Sequence, residues 1–112
     1  MPKHPQIKRY FDPGYDGVVE AVRLTTGEKI KWVRAYERRG PTWSDHLILD
    51  RATLVDRIKS GQRFVTGKRI PNMGSEFEVS DPIELGETSK GEVIRIVDTT
   101  SNKDALPGVP VI

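Results

Sequence analysis

A chain of 112 residues, with 36% hydrophobic and 30% charged content and ten glycines, is sized for one domain with a modest core. It has no cysteine, which excludes disulfides, thiolate metal sites and a cysteine nucleophile and makes a reducing, cytoplasmic location the natural expectation. The net charge of +2 conceals a split: residues 1–75 hold 15 Lys+Arg against 8 Asp+Glu, and residues 76–112 hold 3 against 8.

Such a split suits a basic binding face joined to an acidic segment, or two halves that lie together and neutralise each other. The first nine residues carry charge without an apolar stretch, so they do not read as a signal peptide. No apolar run approaches the ~18–20 residues of a membrane-spanning helix, and no membrane role is expected.

Residues 1–16 contain Pro2, Pro5, Pro13 and Gly14 and read as an irregular lead-in, with Ile7, Tyr10 and Phe11 able to tack it onto the domain. A single β-rich domain is expected over residues 17–98. It begins with a hairpin: a strand over 17–25, a turn at Thr26-Gly27-Glu28 in which Gly27 supplies a positive φ, and a strand over 29–38. Arg39-Gly40-Pro41 through Asp45 is a loop, and His46–Leu49 suits a short buried strand. The period then changes. Asp50 can cap a helix of about ten residues near 51–60, with Leu54, Val55 and Ile58 at helical spacing and Gly61 ending it.

Beyond Gly61 the chain reads as β again. Arg63–Thr66 and Lys68–Ile70 flank Gly67 as a tight hairpin or one bent strand. Pro71–Gly74 is a turn, Phe77 and Val79 alternate as a strand, Asp81-Pro82 breaks it, and Ile83 and Leu85 add a short edge strand. Val93–Val97 is the last strand, and residues 99–112 read as a loosely ordered tail in which Val109, Val111 and Ile112 are candidates to dock. The expected fold is mainly β (α+β): a small, partly open antiparallel barrel or curled sheet with one short helix.

Catalytic signatures are weak. Ser44, Asp45 and His46 are consecutive, and an extended chain points neighbours to opposite sides, against a triad. Gly61–Arg69 resembles a phosphate-binding loop only faintly: five residues separate its glycines, Arg69 stands where a Ser or Thr should be, and the stretch follows a helix. His46, Asp45 and Asp50 lack a metal-ligand spacing, and Glu76 with Glu78 suits a solvated strand face. No catalytic residue, metal or cofactor is expected.

The strand over 29–38 carries the main functional signal. Alternation places Ile30, Trp32, Arg34, Tyr36 and Arg38 on one side, cations interleaved with aromatic rings. Phosphates need cations and bases need flat π-faces, so Arg34, Arg38, Arg39, Trp43, Lys68 and Arg69 are candidate nucleic-acid contacts for DNA or RNA. The opposing reading makes Trp32 and Tyr36 core residues, because theirs is the bulkier face, unless a bulge swaps the faces midway. The alternative function is a protein–protein adaptor or oligomerising module with no nucleic-acid role.

Overall fold

The computed structural model describes residues 14–27, 29–71, 76–89, 91–97, 101 and 103–112. The lead-in as far as Pro13 and most of the turn after Pro71 lie outside the described residues. Among these residues seven strands and one helix follow in chain order: β1 (Gly17–Leu24), β2 (Ile30–Arg39), β3 (Thr42–Trp43), β4 (Leu47–Asp50), α1 (Arg51–Lys59), β5 (Phe64–Arg69), β6 (Phe77–Thr88) and β7 (Gly91–Ile96). They build a curled, open half-barrel in the order β3-β2-β1-β5-β6-β7, with β4 also paired to β2. Among the described residues every pairing between these strands is antiparallel except β1 with β5, whose connection passes through β2, β3, β4 and α1. No helix among the described residues is long and apolar enough to cross a membrane.

The hairpin of β1 and β2 carries two register shifts, and these sort the faces. Glu20 is an extra residue between the Val19–Ala35 and Ala21–Arg34 pairs, and Lys31 is extra between Arg23–Trp32 and Leu24–Ile30. The second shift turns Ile30 to the side of Val33 and Ala35, where simple alternation would oppose them. Val33 and Ala35 thus join the main core with Val19, Val22, Ile30, Leu49, Leu54, Phe64, Ile83 and Ile94, although they form the less bulky side of β2. Gly27 does not take the expected positive φ. The turn is instead closed by Thr25, whose Oγ1 accepts from the N–H groups of Gly27 and Lys29 at 3.2 Å each.

At nine residues, α1 is too short to hold itself in water. Asp50 caps it by accepting from Thr53 N at 2.8 Å, and Gly61 at φ +102° ends it. Leu54 and Val55 bury its inner side, and ion pair Arg51–Asp104 pins its start while Arg57–Glu37 and Lys59–Glu92 pin its last turn.

Asp81-Pro82 does not break the chain as expected, because β6 runs unbroken across it. Proline lacks an N–H, yet here the ladder is changing partners: Phe77–Pro82 pairs with β5 and Ile83–Thr88 with β7. A register shift beside Thr66 absorbs the kink, with Thr66 Oγ1 accepting from Asp81 N at 3.1 Å. Gly67 lies inside β5 as part of one bent strand, where the backbone of β6 comes too close for a side chain.

The C-terminal segment fills a gap in the sheet. β5 pairs with β1 only over Gly17–Val19, which leaves the buried backbone of Val22 without a β5 partner. Val22 N donates to Pro110 O at 2.9 Å, and Ile112 N donates to Val22 O at 2.8 Å. Leu106 and Val109 pack against the core. Arg51–Asp104, Lys59–Glu92 and Lys68–Glu78 join the basic first 75 residues to the acidic remainder.

Candidate nucleic-acid interface

Because Val33 and Ala35 face the core, the opposite side of β2 carries Trp32, Arg34, Tyr36 and Arg38. This side is partly covered by a second, aromatic cluster. Tyr36 is 5% exposed, its ring centroid 5.1 Å from Phe77 and 6.2 Å from His46. Phe77 lies 4.7 Å from Trp43, which in turn lies 5.7 Å from Tyr15. Trp32, further along the strand, is half-buried.

The six candidate residues fall in three places. Arg34 and Lys68 border a groove of about 700 Å³ between the β5–β6 pair and Pro107–Pro110. Arg34 Nε donates to Glu20 Oε1 at 3.0 Å, and the other oxygen of Glu20 accepts from Tyr36 Oη at 3.1 Å. Burial, and then the hydrogen bond and charge of Glu20, raise the Tyr36 phenol above its ordinary value. Lys68 Nζ pairs with Glu78 at 3.4 Å on an exposed surface, where such pairs hold weakly.

Arg69 and Trp43 belong to the aromatic cluster. The Arg69 guanidinium carbon stands 4.4 Å from the Tyr36 centroid and 5.3 Å from that of Phe77, and Nη2 donates to Ser44 O at 2.9 Å. Its Nε is buried with no hydrogen-bond partner among the described residues. Ser44 Oγ donates to Asp45 O at 2.7 Å and accepts from Glu37 N, so both of these bonds engage the hydroxyl with backbone groups.

Arg38 and Arg39, at the end of β2, line a hollow of about 410 Å³ together with Asp16, Glu37, Arg57, Ser60 and Gln62. Asp16 Oδ1 accepts from Arg38 Nη2 at 3.2 Å, and its Oδ2 accepts from the Arg63 backbone N–H at 2.9 Å and Nε at 3.2 Å. Burial would raise this carboxyl, but the hydrogen bonds and charge of Arg63 and the bond from Arg38 hold it below its ordinary value. Glu37, only 8% exposed, accepts from Arg57 Nε at 2.8 Å. That bond leaves both terminal nitrogens of Arg57 without a hydrogen bond among the described residues, and the exposed Arg39 guanidinium has none either.

Compared with known proteins, the chain matches no family model, no curated protein and no solved structure. The geometry therefore stands alone. Among the described residues no group of three or more His, Asp or Glu side chains gathers as a metal site. Sequence reasoning missed Arg57, Ser60 and Gln62, because the end of α1 reaches the end of β2 only through tertiary packing. The one available signal was the basic last turn of the helix, Arg57 and Lys59.

Proposed function

We propose that the protein is a non-catalytic module that binds single-stranded nucleic acid through the end of β2 and its surroundings: Arg38, Arg39, Trp43, Arg57 and Arg63. The observation that carries this reading is the convergence of three arginines, Arg38, Arg57 and Arg63, on two carboxylates, with exposed Arg39 beside them and donors on Arg39 and Arg57 turned to no protein partner among the described residues. Cations fixed by carboxylates at one nitrogen can offer the others to phosphate oxygens without a large ordering cost. Trp43 pairs in register with Arg38, so a half-buried ring stands beside the cations as a base platform. Arg34 and Arg69 are held by Glu20 and the Tyr36–Phe77 rings, and Lys68 borders the separate groove beside Pro107–Pro110, so none of the three belongs to this contact surface. A chain without cysteine suits a reducing, cytoplasmic setting.

Fluorescence anisotropy with labelled single strands tests the reading. Binding at micromolar protein in low salt should weaken steeply as salt rises, and Arg39→Gln should reduce the logarithmic salt slope by about one. Absence of binding at low salt removes the reading.

The outer edge of β4 favours a second one. β4 pairs only with β2 among the described residues, and Ile48 on it is 57% exposed. An adaptor that adds a partner strand to this edge would use both features. Light scattering with and without Ile48→Lys tests self-association there.

A further inference from the structure

The hollow at the end of β2 is small and local. Its roughly 410 Å³ is at the low end of small-ligand sites. A nucleic-acid groove holding about 4–16 nucleotides would be a long track. Its lining comes from three segments distant in sequence: Asp16 ahead of β1, Glu37–Arg39 closing β2, and Arg57–Gln62 closing α1. Such a site suits one chemical group rather than a run of repeating ones.

The charge favours a particular group. Arg38, Arg39 and Arg57 line the hollow against Asp16 and Glu37, a formal +1, and Arg63, outside the lining but paired with Asp16, raises the cluster to a formal +2. A phosphodiester brings a single negative charge, whereas a phosphate monoester carries about −1.5 to −2 near neutral pH and three acceptor oxygens. The donor set also suits it: Arg57, whose terminal nitrogens make no hydrogen bond among the described residues, Arg39 and Gln62 are all lining residues that carry side-chain N–H donors. Arg57 is pre-set by the buried Glu37, so its fork is aimed before any ligand arrives.

We infer that this hollow receives the terminal phosphate monoester of a nucleic-acid strand. The inference rests on the nucleic-acid reading above and sharpens it: the strand is held by its end. Trp43, the register partner of Arg38, then receives the terminal base, and the diester backbone beyond it adds only salt-sensitive attraction.

The test compares short labelled single strands that differ only at their ends: a 5′-phosphate, a 3′-phosphate, or hydroxyls at both. The expected result is about tenfold tighter binding of one phosphorylated form over the hydroxyl form. That preference should collapse in Arg39→Gln, a change that removes no ion pair among the described residues and should leave the fold intact, and in Arg57→Gln. Inorganic phosphate should compete with the phosphorylated strand. Equal binding of all three strands overturns the terminal-phosphate site while leaving the nucleic-acid reading standing. Preference retained in both variants overturns the assignment to this hollow. A nucleoside monophosphate binding as tightly as the phosphorylated strand overturns the strand as ligand. Failure of every strand to bind at low salt removes both the reading and the inference.

Discussion

Arg51 grips both oxygens of the Asp104 carboxylate across 53 residues of sequence: Nε donates to Oδ2 and Nη2 to Oδ1, each at 3.0 Å. The same two oxygens accept from the backbone N–H groups of Ile30 at 2.8 Å and Ile94 at 2.9 Å. One buried side chain thus joins the start of β2, the first residue of α1 and the middle of β7. Arg51 Nη2 also donates to Glu92 O at 2.8 Å, which leaves little slack in the cluster.

Replacing Asp104 with Ala should be among the most damaging single changes. It strands two buried amides and a half-buried guanidinium, and breaking such a pair from one side costs about 3–5 kcal/mol. Asp104→Asn keeps an acceptor but loses the charge and should cost about 1.5–3 kcal/mol. Urea denaturation read by tryptophan fluorescence gives both values.

Stability should fall in acid for a related reason. Burial alone would raise the Asp104 carboxyl, but the Arg51 fork and the amides of Ile94 and Ile30 overcome it and hold the group below its ordinary value; Asp16 is lowered too. The folded state therefore favours ionised Asp104. Its contribution is complete above the unfolded value of about 3.9 and is lost as pH falls from there through the lower folded value. Melting temperatures at several pH values down to about 2.5 should show this loss. In Asp104→Asn the acid limb should be shallower.

Two glycines should respond differently to alanine. A Cβ on Gly67 would meet the Glu78 carbonyl oxygen at 2.5 Å and the Val79 Cα at 3.0 Å, both backbone atoms. Strands β5 and β6 would have to part, at about 1–3 kcal/mol. A Cβ on Gly86 would meet the Arg95 guanidinium at 2.4 Å, a flexible end that can swing aside. Swinging aside gives up its 3.1 Å bond to Glu84 and its 3.0 Å bond to Ser101 O, at about 1–2 kcal/mol and without parting any strands. Paired thermal melts should separate the two.

Arg69 and Arg39 should separate stability from binding. Arg69→Ala removes a cation packed on Tyr36 and Phe77 and should cost about 1–2 kcal/mol of stability without changing the salt slope of nucleic-acid binding. Arg39→Ala should leave the melt unchanged and lower the slope. Calorimetry and salt-titrated anisotropy on the same two variants read both effects.

The architecture was legible where local signals agree. Both arms of the β1–β2 hairpin are rich in β-branched or aromatic residues, and Asp50 ahead of Leu54 and Val55 announces a capped helix. Proline at position 82 misled because its cost depends on whether the ladder needs its N–H, which is decided by β5 and β7 rather than by its neighbours. The face of β2 was read ambiguously because one extra residue, Lys31, reverses the sense of Ile30. Arg69 looked like a solvent-facing cation because no spacing rule connects position 69 to the rings of Tyr36 and Phe77. Arg57 was missed because its ion pair with Glu37 spans 20 residues and two element types.

The parallel pairing of β1 with β5 bears on how quickly this chain can find its structure. Gly17 must meet Phe64, and Val22 must meet Pro110, each contact closing a long stretch of polypeptide before it is rewarded. The β1–β2 hairpin can zip early and alone, but its second edge has to wait for partners from the far half of the chain. Refolding on the millisecond-to-second scale of sheet proteins, with the hairpin ordered in the rate-limiting step and the C-terminal segment closing afterwards, is the kinetic counterpart of that topology.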